Sequence, residues 1–136
     1  MEINKEAPYS RKSLIWELEK YNISSDDTEF AADHSGIDYN KNADRKAKTL
    51  LEYDAYSKER LIGRLKDFYY IESEAIQAAN RYDTDEFWIK QGVRFMKNEW
   101  PIMIKEGNES YIKERLTMHD FTEYQAEEAT KLLLNK

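Results

Sequence analysis

The sequence has no cysteine, two prolines, four glycines and two histidines in 136 residues. Without cysteine there is no disulfide, no thiolate metal ligand, no cysteine nucleophile and no lipid attachment through a cysteine of this chain. Four glycines leave few places for tight hairpin turns, and β-type alternation is brief wherever it occurs, so no strand is expected. No stretch approaches the ~18 consecutive apolar residues that a membrane-spanning helix needs. The opening residues, MEINKEAPYS, contain no apolar core and do not read as a signal peptide. Taken as given, the chain is expected to be cytoplasmic and free of membrane contact. It would be extracellular and membrane-anchored if it were the mature part of a lipoprotein. A basic balance is also missing. The net charge of −6 argues against a general affinity for nucleic acid, which rests on neutralising phosphates. It is compatible with basic protein partners, with imitation of a polyanion, and with plain solubility.

What is present suffices for a core. Apolar residues are 40% of the chain, and ten tyrosines dominate an aromatic content of 13%. The length suits one domain, and 1–136 is expected to form a single all-α domain.

A six-position pattern occurs three times, at offsets of 47 and then 51 residues. It opens with a short polar residue (Ser10, Ser57, Asn108) and continues with an aliphatic (Leu14, Leu61, Ile112) and a leucine (Leu18, Leu65, Leu116). A large apolar residue follows (Ile23, Tyr70, Phe121), then a small one (Thr28, Ala75, Ala126), then alanine (Ala31, Ala78, Ala129). Ser and Asn are good N-caps because their side chains satisfy a backbone N–H of the first turn. Apolar residues four apart share one helix face. The large apolar residue sits where a hydrophobic staple would fix the start of a second helix, and the small residues allow close approach. Ser24 with Asp27, and Thr122 with Gln125, would open the second helices of the first and third copies. Ile71 in the second copy cannot cap, so its cap must come from elsewhere or be weak.

The expected architecture is therefore tandem helix-turn-helix-like units, two to three in number, over about 9–37, 56–82 and 108–133. Connecting helices are expected over about 38–55 and 84–100. Ala43, Ala47, Leu50, Leu51 and Tyr39 are candidates for the inner face of the first connector, and Phe87, Trp88, Val93, Phe95 and Met96 for that of the second. Pro101 should end or kink the latter near Trp100. Gly36 and Gly107 fall where helix C-caps are needed, whereas Gly63 and Gly92 lie inside helices, through either close helix contact or solvent-exposed tolerance. Charge follows the same rhythm. Residues 17–38 carry seven acids and one lysine, and 39–66 carry eight bases and four acids.

The spacing of Ser57, Leu61, Leu65, Tyr70, Ala75 and Ala78 resembles the Ltp-type repeat of host cell surface-exposed lipoproteins of Gram-positive bacteria and their phages. The connector DYNKNADRKAK adds Tyr39, Asn40, Ala43 and Ala47 to the likeness, which covers about residues 9–132. The resemblance implies tandem helix-turn-helix-like units that do not bind DNA. It also implies superinfection exclusion, in which a lysogen's protein blocks genome entry by a second phage through the incoming tape-measure protein. Members of that type carry a signal sequence and a lipidated cysteine, and this chain shows neither.

No glycine-rich phosphate loop and no nucleophile elbow occur. Ser10 and Ser57 have no base beside them, and Glu72 and Glu74 do not converge. His34 and His119 suit helix ends better than catalysis. Asp33, His34 and Asp38 lack the spacing of zinc or calcium loops. No catalytic residue, cofactor or metal is expected.

That leaves binding surfaces. Asp26, Glu29 and Asp33 share one helix face, with Asp27, Glu17 and Glu19 extending the negative field. The second copy has Ser73, Ile76 and Asn80 at the positions matching the stripe, so the fold does not require it. It is either a partner-binding feature or a solvated face. Trp16 matches Gly63, and it is either an exposed hot spot or a buried cap of the array. The expected partner is a protein: a tape-measure-like phage protein, or a host defence nuclease whose nucleic-acid site an acidic, anti-CRISPR-like surface would occupy. No direct nucleic-acid binding is expected.

Overall fold

The structure, a computed structural model, describes residues 8–135. The reading of the extreme N-terminus falls on residues 1–7, outside the described residues. The described residues are all-helical, with no strand. Helices run over Arg11–Glu19 (α1), Ser25–His34 (α2), Tyr39–Tyr53 (α3), Lys58–Asp67 (α4), Glu72–Asn80 (α5), Asp85–Glu99 (α6), Pro101–Glu106 (α7), Glu109–Met118 (α8) and Glu123–Leu133 (α9). Among the described residues no helix is long and apolar enough to cross a membrane.

Short polar side chains start the helices. Ser10, Ser24, Thr84, Asn108 and Thr122 each accept a hydrogen bond from the backbone N–H three residues on. Ser57 does the same for Arg60 N–H. Thr122 and Gln125 complete a reciprocal capping box. At α5, where Ile71 offers no acceptor, Glu74 reaches back and its Oε1 accepts from Ile71 N–H at 3.1 Å. This is the second half of a capping box without the first.

The turns that follow α1, α4 and α8 share a feature the spacing pattern did not show. Asn22, Tyr69 and Asp120 take left-handed backbone, with φ of 60°, 68° and 70°. They precede Ile23, Tyr70 and Phe121. Tyr70 N–H donates to Leu65 C=O and Phe121 N–H to Leu116 C=O, both at 3.2 Å. These bonds close the turns and send Tyr70 and Phe121 inward, with 3% and 4% of their surface exposed. Ile23 differs from its expected inward role: it remains 38% exposed. Ala31 is only half-buried, and Ala32 takes the fully buried place.

The chain divides into two compact units: one comprises the chain up to Thr49 with Ile62–Ala79, the other Leu50–Leu61 with the chain from Asn80 onward. In the first unit, Leu14, Leu18 and Ala32 form a small core against Tyr9, Ile15, Ile37 and Tyr39. Three side chains tether its backbone. Tyr39 Oη donates to Ala32 C=O at 2.5 Å, Asn42 Nδ2 donates to Tyr9 C=O at 2.8 Å, and Tyr70 Oη donates to Pro8 C=O. Asn42 is thus the buried asparagine of the connector, while Asn40 is exposed. In the second unit, α9 packs on α6 and α8, around Met96, Ile112, Leu116, Phe121, Ala126, Ala129 and Leu133. Arg94 stands in for a cap on α3, donating to the carbonyls of Leu51, Glu52 and Asp54. Trp88 is buried, whereas Trp100 is half-buried under the Arg115 guanidinium, 4.6 Å from its ring. Trp100 ends α6, and Pro101 restarts the chain as the first residue of α7.

The two interior glycines have different reasons. A Cβ on Gly92 would meet Ala129 Cβ at 3.3 Å and Leu116 Cδ2 at 3.4 Å, so this glycine permits the close approach of α6 and α9. A Cβ on Gly63 would meet nothing within 4 Å. Gly63→Ala should therefore raise stability by about 1 kcal/mol through helix propensity. Gly92→Leu should lower it by about 2 kcal/mol or more through overpacking. Urea unfolding midpoints measure both, and shifts of the same sign would contradict the assignment.

Candidate functional site

Tyr69 combines a constrained backbone with an exposed ring. At the corresponding turn positions Asn22 and Asp120 occupy the left-handed region with short polar side chains that tolerate it. Tyrosine has no such help, and left-handed backbone costs an L-residue about 1–2 kcal/mol. The Tyr69 ring is 46% exposed and lies edge-on to the 42%-exposed Trp16, with centroids 4.6 Å apart and planes at 79°. Lys12 Nζ lies 5.1 Å from the Trp16 ring centroid and 5.3 Å from that of Tyr69, within range of a cation–π contact with both.

This corner opens onto a groove of about 510 Å³ in the first unit. Ile15, Trp16, Tyr69 and Ile71 form its apolar wall, and Arg11, Lys12, Glu19, Glu29 and Glu74 supply charge. A smaller cavity of about 190 Å³ shares Tyr69 and is completed by Pro8, Tyr9, Ser13, Lys46 and Phe68. There Lys46 Nζ lies 3.9 Å from the Phe68 ring centroid. Burial, and then the Arg64 charge, hold the Lys46 ammonium below the ordinary lysine pKa.

The residues proposed from sequence separate into three groups. Trp16, Glu19 and Glu29 come together in the groove. Asp33 is instead engaged by Arg11, which donates from Nε to Oδ1 at 2.6 Å and from Nη2 to Oδ2 at 3.0 Å. That hydrogen bonding holds the Asp33 carboxyl below its ordinary value. Glu17 accepts from Lys20 Nζ at 2.9 Å. Asp26 and Asp27 lie exposed in the first turn of α2, where negative charge suits the helix dipole. Along the face shared by Asp26, Glu29 and Asp33, one end is thus paired with Arg11 and the other lies at a helix start. Tyr69, Ile71, Glu74 and Lys12 are groove residues that spacing alone missed. The available signal was a tyrosine where the aligned copies have Asn22 and Asp120.

The histidines lie at helix ends. His34 Nδ1 is 2.9 Å from Phe30 C=O, and its ring stacks on Phe30. His119 follows α8 and packs against Phe95, with ring centroids 4.5 Å apart. Burial and then the Arg60 charge hold its pKa below the ordinary 6.5. Among the described residues no group of three or more His, Asp or Glu side chains is arranged to hold a metal ion.

No protein-family model matches the chain, and neither a curated protein nor a solved structure matches it.

Two measurements follow from this geometry. Tyr69→Gly and Tyr69→Ala both remove the ring, but only glycine relieves the left-handed backbone. The glycine variant should be the more stable by about 1 kcal/mol in chemical denaturation. Equal stability would remove the case for strain. For His119, the depressed native pKa means that the unfolded chain binds the extra proton first as pH falls. Its contribution is present in full above 6.5 and is lost as pH drops from there toward the native value. Between pH ~7 and ~5 the unfolding midpoint should fall less in His119→Gln than in the wild type, in line with that linkage. Parallel pH profiles would exclude it.

Proposed function

We propose that the chain is a non-catalytic protein-interaction module of phage or prophage type, built from tandem helical hairpins, that blocks a step of infection by engaging a protein partner. The observation carrying this reading is the exposed Trp16–Tyr69 pair, held over a groove by a residue in left-handed backbone. Exposed aromatic pairs of this kind supply large contact area at low conformational cost and are enriched at binding hot spots. Strained backbone clusters at functional positions, since the surrounding structure must support it.

The tandem-hairpin reading draws support from the equivalent placement of Asn22, Tyr69 and Asp120, and of the caps Ser10, Ser57 and Asn108. With the Ltp-like spacing, it favours action in the manner of superinfection exclusion. The alternative of an acidic nucleic-acid mimic draws less support, because Asp33 is committed to Arg11 and Glu17 to Lys20.

Expression in a phage-sensitive host tests the proposal by plating efficiency. The wild-type chain should reduce plaque formation by at least one infecting phage, about tenfold or more. Trp16→Ala should lose most of that protection, as hot-spot truncation costs ~2 kcal/mol or more, while its circular dichroism stays helical. Full protection by a folded Trp16→Ala would show that the groove is not the working surface.

A further inference from the structure

We infer that the Trp16–Tyr69 corner receives the cationic side chain of a lysine- or arginine-bearing segment of a protein partner, in the place that Lys12 now fills. The inference rests on the proposed function and adds the chemistry of the partner.

The observations converge on a cation with an apolar stem. Two aromatic rings meet nearly at right angles, and a primary ammonium already lies within about 5 Å of both centroids. The ring faces therefore serve as an ammonium site within the molecule itself. Ile15 and Ile71 continue the apolar wall, against which the methylenes of a lysine or arginine would lie. Glu19, Glu29 and Glu74 border the same groove.

The charges that would oppose a cation are accounted for locally. Arg11 is held in the bidentate pair with Asp33. Among the described ion pairs, neither Glu19 nor Glu29 takes part, and Glu74 is used only as an acceptor for Ile71 N–H. Lys12 is the remaining cation of the groove, exposed and in contact there with the Trp16 and Tyr69 rings. A groove of about 510 Å³ also falls within the roughly 300–1,000 Å³ of ordinary binding clefts. The carboxylates exclude phosphate-rich ligands, whose charge they would repel. They favour a basic peptide over an acidic one by the same term. Lys12 then acts as an internal placeholder: the partner's side chain displaces it and takes over both ring contacts.

The test uses the full chain and homopeptides of lysine, of arginine and of glutamate, each about eight residues long. Binding is followed through the indole N–H resonance of Trp16, assigned by its loss in Trp16→Phe. Both basic peptides should shift this resonance, and the glutamate peptide should not. Glu29→Gln should weaken binding of the lysine peptide and Trp16→Ala should abolish it. Lys12→Ala should strengthen binding about threefold or more, a change of the size that one removed competing contact gives. Lys20→Ala, which removes the same charge just past the end of the same helix and outside the groove, should change it by less than about twofold. Equal effects of the two lysine substitutions would show general electrostatics and overturn the inference. So would unchanged affinity in Trp16→Ala. Failure of the basic peptides while Trp16→Ala still loses phage protection would sink this chemistry alone. Peptide binding with full protection by Trp16→Ala would instead sink the functional reading.

Discussion

Three of the short connections between helices pass through one non-glycine backbone position of positive φ. Asn22, Tyr69 and Asp120 occupy that position after α1, α4 and α8. Their left-handed conformation turns the backbone so that the next residue can bond back to the helix just left. In two of the three turns that bond carries an aromatic ring into the interior: Tyr70 through Leu65, and Phe121 through Leu116. The start of the second helix is then fixed close by, and Glu74, or Thr122 with Gln125, satisfies its first amides. In the first turn Ile23 stays at the surface, and the core beside it is correspondingly small.

Small residues do the rest of the positioning. Thr28, Ala75 and Ala126 are fully buried, as are Ala78 and Ala129. A residue of this size contributes little hydrophobic free energy of its own, but it lets facing helices approach until larger neighbours fill the space. Gly92 extends the same device, bringing α6 against Ala129. Where apolar packing is thin, specific hydrogen bonds set the backbone instead. Asn42, Tyr39 and Tyr70 hold the segment around Pro8 and Tyr9 and the end of α2 in the first unit. Arg94 gathers three carbonyls at the end of α3 in the second.

Helices, caps and inward leucines were readable because each obeys a local rule of period or of N-terminal chemistry. Ser10, Leu14 and Leu18 need only their own sequence neighbours to be recognised. The exposure of Gly63, the burial of Asn42 and the reach of Arg94 were not readable, since each depends on what a distant element brings alongside. The pairing of Asp33 was hidden for a related reason. Helical periodicity puts Asp26, Glu29 and Asp33 on one face, but it is silent about Arg11, 22 residues before Asp33, whose fork removes one end of that face. Trp16 stood out because its counterpart Gly63 shows that the position tolerates any size. Tyr69 was hidden because its counterparts differ in chemistry rather than in size.

Tyr69 therefore links fold to surface. All three residues in left-handed backbone at these turns are exposed. Asparagine and aspartate tolerate that backbone, and Asp120 also accepts from Arg60 Nε at 2.7 Å. Tyrosine serves it less well: the half-exposed contact of its ring with Trp16, worth about 1 kcal/mol, and the exposed approach of Lys12 offset a backbone penalty of about 1–2 kcal/mol. Folding stability thus supplies little net reason for a large aromatic at this position. The same holds for Trp16, whose ring leaves two-fifths of its surface in water on a helix whose core is already supplied by Leu14 and Leu18. Two half-exposed aromatics in edge-on contact at the wall of a charged groove form the part of this surface that is best accounted for by something other than the chain itself.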